Sequence, residues 1–261
     1  MLRGIDVSHW DGNDGADVAA MADCDFVIIK ATQGTDFLDC AFADNVANVR
    51  KLGKLMGVYH FADGNDPERE ALAFAKTIDN LLGECVPVLD FEINTVPTVD
   101  WCESFIGKFM EITGIVPTLY ISASLCILFN DSWIPDYCPL WVAGYPQPQY
   151  SNWITRECPY NVGKWGKPDI WQFTSLLDLH GRSYDGNIAY MDVKGFLALY
   201  GLGKTMTENE LKEMLIATPY GNVKFSEAIG WIYGYVRDMQ PVVFDLQKRV
   251  KELERKTDDK R

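Results

Sequence analysis

Short apolar segments alternate with longer amphipathic ones from the start of the chain to about residue 200. Seven apolar segments read as strands: Leu2–Val7, Phe26–Ala31, Met56–Phe61, Val86–Phe91, Thr118–Ile121, Leu140–Ala143 and Ile170–Phe173. The stretches between the first five carry helical spacing. Phe42–Leu52 repeats Phe42, Val46 and Val49 on a polar background, and Pro67–Leu82 repeats Leu72, Phe74, Ala75, Ile78 and Leu82. This alternation predicts βα units around a parallel sheet. Eight full units close into a barrel of about 250 residues, more than this region holds. Its last third, around Tyr145–Lys167, is rich in Pro, Tyr and Trp instead of helical spacing. The expected fold class is therefore α/β, a modified (β/α) TIM-like barrel over residues 1–203 with some helices missing.

Residues 204–261 change character. Ile229, Ile232, Val236, Met239, Val243, Leu246, Val250 and Leu253 follow a 3-4 spacing, the seam of a coiled coil. Pro241 interrupts it, which predicts two helices or one kinked helix with Pro241 near a helix start. A small helical C-terminal region is expected. The seam over 225–256 can fold back on the barrel, join copies into a homo-oligomer or bind another partner.

Composition narrows the function classes. Of 261 residues, 48% are hydrophobic and 13% aromatic, ample for a large core. No apolar run approaches the roughly 20 residues that span a bilayer, so no membrane partner is expected. The net charge is −13. Residues 205–261 carry 10 basic and 10 acidic side chains, whereas 1–204 carry 14 and 27, so the barrel holds the whole imbalance. An acidic barrel argues against nucleic acid, whose phosphates need Lys and Arg. The N-terminus, MLRGIDVSHW, has no apolar signal core, which reads as synthesis without a signal peptide. Seven scattered Cys and three His, with no C-x-x-C pair, argue against structural zinc and suit free thiols in a reducing compartment.

The chemistry lies in acids at strand ends. Asp6 ends the first strand in G-I-D-V-S-H-W, and Asp90 and Glu92 end the fourth in V-P-V-L-D-F-E. Positions i and i+2 of a strand share a face, so Asp90 and Glu92 look into one site while Phe91 faces away. The C-terminal strand ends of a parallel barrel form its active-site rim. Asp6 joins that rim from the first strand and Asp192, in I-A-Y-M-D-V-K-G-F, from the last. Clustered carboxylates raise at least one pKa, leaving a protonated acid beside ionised neighbours. Glycosidic cleavage needs that combination. Divalent-cation binding and ordinary helix caps or salt bridges are the alternatives. Aromatic and polar residues keep the same register: Trp10 after Asp6, Tyr59, His60 and Phe61 on the third strand, Tyr120 on the fifth, Trp141 on the sixth, and Trp171 and Gln172 on the seventh. Rings interspersed with hydrogen-bonding groups suit sugars; taken singly, each aromatic reads more readily as core, and His60 as a hydrogen-bonded core histidine.

These segments, in order, resemble glycoside hydrolase family 25, the muramidases or Chalaropsis-type lysozymes. The matching stretches are G-I-D-V-S-H-W-D-G (4–12), F-V-I-I-K-A-T-Q-G (26–34), G-V-Y-H-F (57–61), P-V-L-D-F-E (87–92), L-W-V-A-G-Y (140–145), I-W-Q-F (170–173) and M-D-V-K-G-F (191–196). The resemblance ends near residue 200. It implies a modified β/α barrel that cuts the β-1,4 bond between N-acetylmuramic acid and N-acetylglucosamine of peptidoglycan, with no metal or organic cofactor. It implies Glu92 as general acid/base, Asp90 as partner carboxylate, and Asp6 and Asp192 as further active-site acids. Gln33, Tyr59, His60, Tyr120, Trp141, Tyr145 and Gln172 are the expected substrate contacts.

One position departs from the family pattern. Gln33 stands where members commonly carry Glu, removing a negative charge, which lowers the acid's pKa. The rival functions are a non-catalytic peptidoglycan-binding barrel and a hydrolase of another amino-sugar polymer such as chitin. A missing signal peptide and scattered thiols fit a phage endolysin, made in the bacterial cytoplasm and released to the wall.

Overall fold

The computed structural model describes residues 1–12, 16–202, 215–218 and 221–224. They belong to two units, Met1–Thr205 and Met206–Arg261. In the first, the chain runs β1 (Leu2–Val7), α1 (Val18–Ala22), β2 (Phe26–Gln33), β3 (Phe37–Leu38), α2 (Phe42–Leu52), β4 (Leu55–Phe61), α3 (Pro67–Thr77), β5 (Val86–Asp90), α4 (Thr98–Thr113), β6 (Thr118–Ser122), α5 (Ile134–Tyr137), β7 (Leu140–Ala143), β8 (Ile170–Leu179), β9 (Arg182–Ala189) and α6 (Val193–Leu197). The described part of the second unit is an antiparallel pair, β10 (Leu215–Thr218) with β11 (Gly221–Lys224). A hairpin thus stands inside the region read as helical, consistent with the helix-breaking Pro-Tyr-Gly at 219–221. The seam over 225–256 and Pro241 lie outside the described residues.

All seven predicted strands are present. Their sheet order is β1-β9-β8-β7-β6-β5-β4-β2-β3, and a further β1–β2 pairing closes it into a barrel of eight strands with β3 as an appendage on β2. The eighth strand, β9, was not foreseen. It returns from β8 through His180 and Gly181, at φ 55° and 77°, the positive φ pair of a tight hairpin. It therefore runs antiparallel to both β8 and β1.

Helices cover only part of the barrel. Asp66 caps α3 by accepting from the Arg69 amide, with Pro67 in the first turn. Left-handed Gly53 and Gly114 end α2 and α4. The helix expected over Pro67–Leu82 stops at Thr77 and continues as a 3-10 turn, Asp79–Leu81. Beyond β6 the chain makes only a 3-10 run, Ala123–Phe129, and the short α5; beyond β7 it makes one turn, Gly163–Trp165. Trp153, Tyr160 and Trp165 pack there against the outer core.

Alternation along the strands makes two apolar layers. Ile5, Val27, Ile29, Leu89, Phe91 and Leu119 point outward, packing with Phe74, Phe105 and Phe109 of the helices. Leu2, Phe26, Ile28, Val86, Val88 and Ile170 point inward and, with Phe196 and Tyr200, fill the end of the barrel where the parallel strands begin. Gly4 is required here, because a β-carbon would lie 2.4 Å from the Phe26 ring. Phe26 meets Phe196 at a centroid distance of 4.9 Å, and the Tyr200 hydroxyl accepts from the Met56 amide at 2.9 Å.

Candidate active site

Further along the same strands, inward positions become polar. Asp6 follows Gly4, Lys30 follows Ile28, Asp90 follows Val88 and Gln172 follows Ile170. Because β9 is antiparallel, its polar positions come first: Asp185 pairs with Asp6, and Asn187 with Gly4 and Gln172. The carboxyls thus gather at the C-terminal end of the parallel strands, above the apolar plug.

Asp6 is held by two amides. Asn187 Nδ2 donates to its Oδ2 at 2.6 Å and Gln172 Nε2 at 2.9 Å. Those amides are held in turn. Trp141 Nε1 donates to Asn187 Oδ1 at 2.8 Å, while the hydroxyls of Tyr120 and Tyr145 donate to Gln172 Oε1 at 2.8 and 2.6 Å. Both ends of each amide are engaged, so neither can flip without losing two bonds. Burial pushes the Asp6 carboxyl well above the usual range, Asp185 pushes it further, and the two amides oppose the shift. Asp185 is itself raised to about 6, by burial first and then by the charges of Asp11 and Glu92. Direct cross-strand pairing places Asp6 and Asp185 side by side, so each disfavours the other's charge.

Asp90 is buried and Glu92 lies exposed just past the end of β5, with Phe91 turned outward against Trp101. The two carboxyls, two residues apart on one face of the strand, lie close enough for each to shift the other's hold on a proton. Burial drives Asp90 well up; Glu92 and Asp6 add to the shift, and Lys30 opposes it. Glu92 is also raised by burial, against the influence of Asp90 and the charge of Lys30. Asp90 Oδ1 has no hydrogen-bond partner among the described residues. Lys30 is itself buried, with Nζ 2.8 Å from Gln33 Oε1 and 4.7 Å from the Phe61 ring centroid. Gln33 therefore serves as an acceptor for the lysine that faces the acids.

The structure brings together Asp6, Asp90, Glu92, Gln33, Tyr59, Tyr120, Trp141, Tyr145 and Gln172. Tyr59 packs with the inner layer, and its hydroxyl is held un-ionised by burial and by the charges of Asp90 and Asp6. Trp141 and Tyr120 are buried, with ring centroids 4.4 Å apart, so they support the site from below and present no open stacking face.

Two expected residues lie elsewhere. His60 sits on the reverse face of β4, fully buried, with Nδ1 2.8 Å from Thr32 Oγ1, Nε2 2.9 Å from Glu70 Oε2 and its ring stacked on Phe105. It belongs to the seam between barrel and helices, because its neighbour Tyr59 takes the inward position. Asp192 is exposed and caps α6, its Oδ1 accepting from the Gly195 amide at 2.8 Å. It follows the end of β9 that pairs with Leu2, at the opposite end of the barrel from Asp6. The antiparallel direction of β9 gives the fourth acidic position to Asp185. Asp185, Asn187 and Lys30 were missed. The period-two run Arg182–Ala189 behind a His-Gly turn was the available signal for a hairpin whose first residues lie at the rim.

A carboxyl cluster at the C-terminal rim of a parallel barrel, over an apolar floor, is a site of the glycoside hydrolase class. The model of the glycosyl hydrolases family 25 matches residues 5–182, and the chain belongs to that family. It is 32% identical over 162 residues to Lysozyme M1 of Streptomyces globisporus, covering 54% of each protein. It is 28% identical over 147 residues to an autolytic lysozyme of Clostridium acetobutylicum, covering 55% of this chain and 45% of that one. The chain thus spans about half the length of these relatives. The structure of a muramidase from Acremonium alcalophilum superimposes with a TM-score of 0.62 at 27% identity, over 78% of this chain and 100% of that one.

Proposed function

We propose that this protein hydrolyses peptidoglycan at the β-1,4 bond between N-acetylmuramic acid and N-acetylglucosamine, with net retention. The observation that carries the reading is the placement of buried Asp90 and rim-exposed Glu92 on one face of β5, with Asp90 Oδ1 buried and without a hydrogen-bond partner among the described residues. In its protonated form Glu92 protonates the leaving oxygen, and the resulting carboxylate then takes a proton from the incoming water. Asp90, ionised in that state, orients the 2-acetamido group of the muramic acid through the otherwise unpartnered Oδ1, and the acetamido oxygen attacks the anomeric carbon. Direct attack by Asp90 is the other retaining route. Asp6, Asp185 and their amide clamps position sugar hydroxyls and water.

The wider biology is part of the same proposal: a phage endolysin made in the bacterial cytoplasm, acting in lysis, with residues 204–261 as a separate region for oligomerisation or wall binding. Among the described residues, no helix is long and apolar enough to cross a membrane. The test is digestion of purified peptidoglycan, with reduction and mass spectrometry of the fragments beside Glu92→Gln. New reducing N-acetylmuramic acid ends, absent from the variant, are the expected result. No new ends with wall still bound would leave a binding module, and reducing N-acetylglucosamine ends would reassign the bond.

A further inference from the structure

Trp10, on the loop after β1, is 85% exposed. An indole normally removes a large apolar area from water when a protein folds, so an indole left outside is a surface without its partner. It is supported from one side. Its ring lies 4.7 Å from the His9 ring at an interplanar angle of 36°, and His9 in turn lies 5.9 Å from Phe37, itself 42% exposed on β3. His9 is fixed from below by Asp39, whose side chain is fully buried. Asp39 Oδ2 is 2.6 Å from His9 Nδ1 and also accepts from the His9 amide at 3.2 Å, while Oδ1 accepts from the Ala41 amide at 2.9 Å. A carboxylate receiving amide donors on both oxygens makes His9 Nδ1 the donor in their bond. His9 Nε2 makes no hydrogen bond among the described residues and is left for a ligand.

This rim is continuous with the acids. Phe37 lies 5.6 Å from Lys30 Nζ, and the charge of Lys30 acts on Asp90 and Glu92. Asp11, next to Trp10, is close enough to Asp6 and Asp185 to raise both carboxyls. Phe37 thus stands beside the lysine that faces the acids, and His9 and Trp10 continue the rim outward from Phe37.

We infer that Trp10, Phe37 and the Asp39-held His9 form a further subsite for an N-acetylated sugar of the bound glycan, beyond the residues at the cleaved bond. The sugar's apolar face lies on the indole, and a hydroxyl or acetamido group hydrogen-bonds His9 Nε2. This inference rests on the hydrolase reading for its ligand, and its test separates the two.

The full chain carrying Glu92→Gln is titrated with a peptide-free disaccharide and with longer peptide-free glycan strands, following the Trp10 indole resonance by NMR. The indole resonance is expected to shift with long strands and not with the disaccharide. Trp10→Ala should weaken long-strand binding about tenfold, within what aromatic contact supplies. Trp10→Phe should recover most of the loss, and His9→Ala should lose a few-fold. In the otherwise native enzyme, Trp10→Ala should raise KM on long strands and leave kcat within twofold. An unmoved indole at saturating strand, or equal losses on short and long ligands, overturns the subsite. An indole shift that follows protein concentration without sugar assigns the surface to a second copy and also overturns it. If the native protein cuts no wall, the hydrolase reading fails, while the indole titration still decides the subsite.

Discussion

At one end of the barrel Leu2, Phe26, Phe196 and Tyr200 fill the interior, and at the other, on the same strands, stand Asp6, Asp90 and Asp185. Gly4 and Asp6 occupy successive inward positions of β1, as do Val88 and Asp90 of β5. Each strand carries packing at its start and chemistry at its finish. The apolar end supplies folding free energy and excludes water beneath the acids. The acidic end uses that dry floor, because burial is the first cause of the raised pKa of Asp6 and Asp90. One end stabilises and the other is strained by what it must hold.

Substitutions that touch only one end sharpen the contrast. Glu92→Gln should lower kcat by about three orders of magnitude, the scale of a lost general acid, with the melting temperature nearly unchanged. Steady-state digestion beside a thermal melt checks it, and a large fall in melting temperature would mean Glu92 also holds the fold. At the other end, Phe196→Ala should remove about 3–5 kcal/mol of stability and leave kcat unchanged below the melt. Urea titration and low-temperature kinetics separate those effects, and a kcat loss in folded protein would join the two ends.

Asp185 and Asp192 make a finer pair. Asp185 has a folded pKa of about 6 against an ordinary value of 3.8. The folded state therefore holds its proton more tightly than the unfolded state, and stability drains as pH rises through about 4 to 6. Asp185→Asn should remove that drain, raising stability at pH 7 by up to about 3 kcal/mol, with no gain below the unfolded pKa. The same variant should lower activity. Asp192→Ala should do the reverse, losing about 1 kcal/mol as a helix cap with activity intact. Melts across pH decide both; a gain for Asp185→Asn that persists at acid pH would exclude electrostatic strain as its cause.

The smallest effect is expected at Gln33. Gln33→Glu adds a negative charge beside Lys30, so the acids bind their proton more tightly and the alkaline limb of the rate profile moves upward, by less than about one pH unit. A pH–rate profile that moves down instead would show that Lys30 does not couple Gln33 to the acids.

Much of this was legible from spacing. The strands through β8 apart from the two-residue β3, the register that puts Asp90 and Glu92 on one side and Phe91 on the other, and the missing helices after β6 all follow from apolar runs of period two and the loss of helical spacing. His60 is the hydrogen-bonded core histidine that its residue type suggests and not a substrate contact, because a one-residue step along β4 reverses the face, and both faces of a barrel strand are buried. Asp192 was misplaced because an acid after an apolar segment reads alike whether its strand runs up or down.

By itself the sequence determined the alternation of elements, the acidic character of the barrel and the carboxyl pair that ends β5, since these depend on neighbours within a few residues. Only the tertiary structure decided that β9 runs backwards, that Asp185 and not Asp192 stands beside Asp6, and that Gln172 and Asn187 clamp it. Those facts depend on which distant strands meet, and closing the barrel through β1 and β9 brings together residues at opposite ends of the domain.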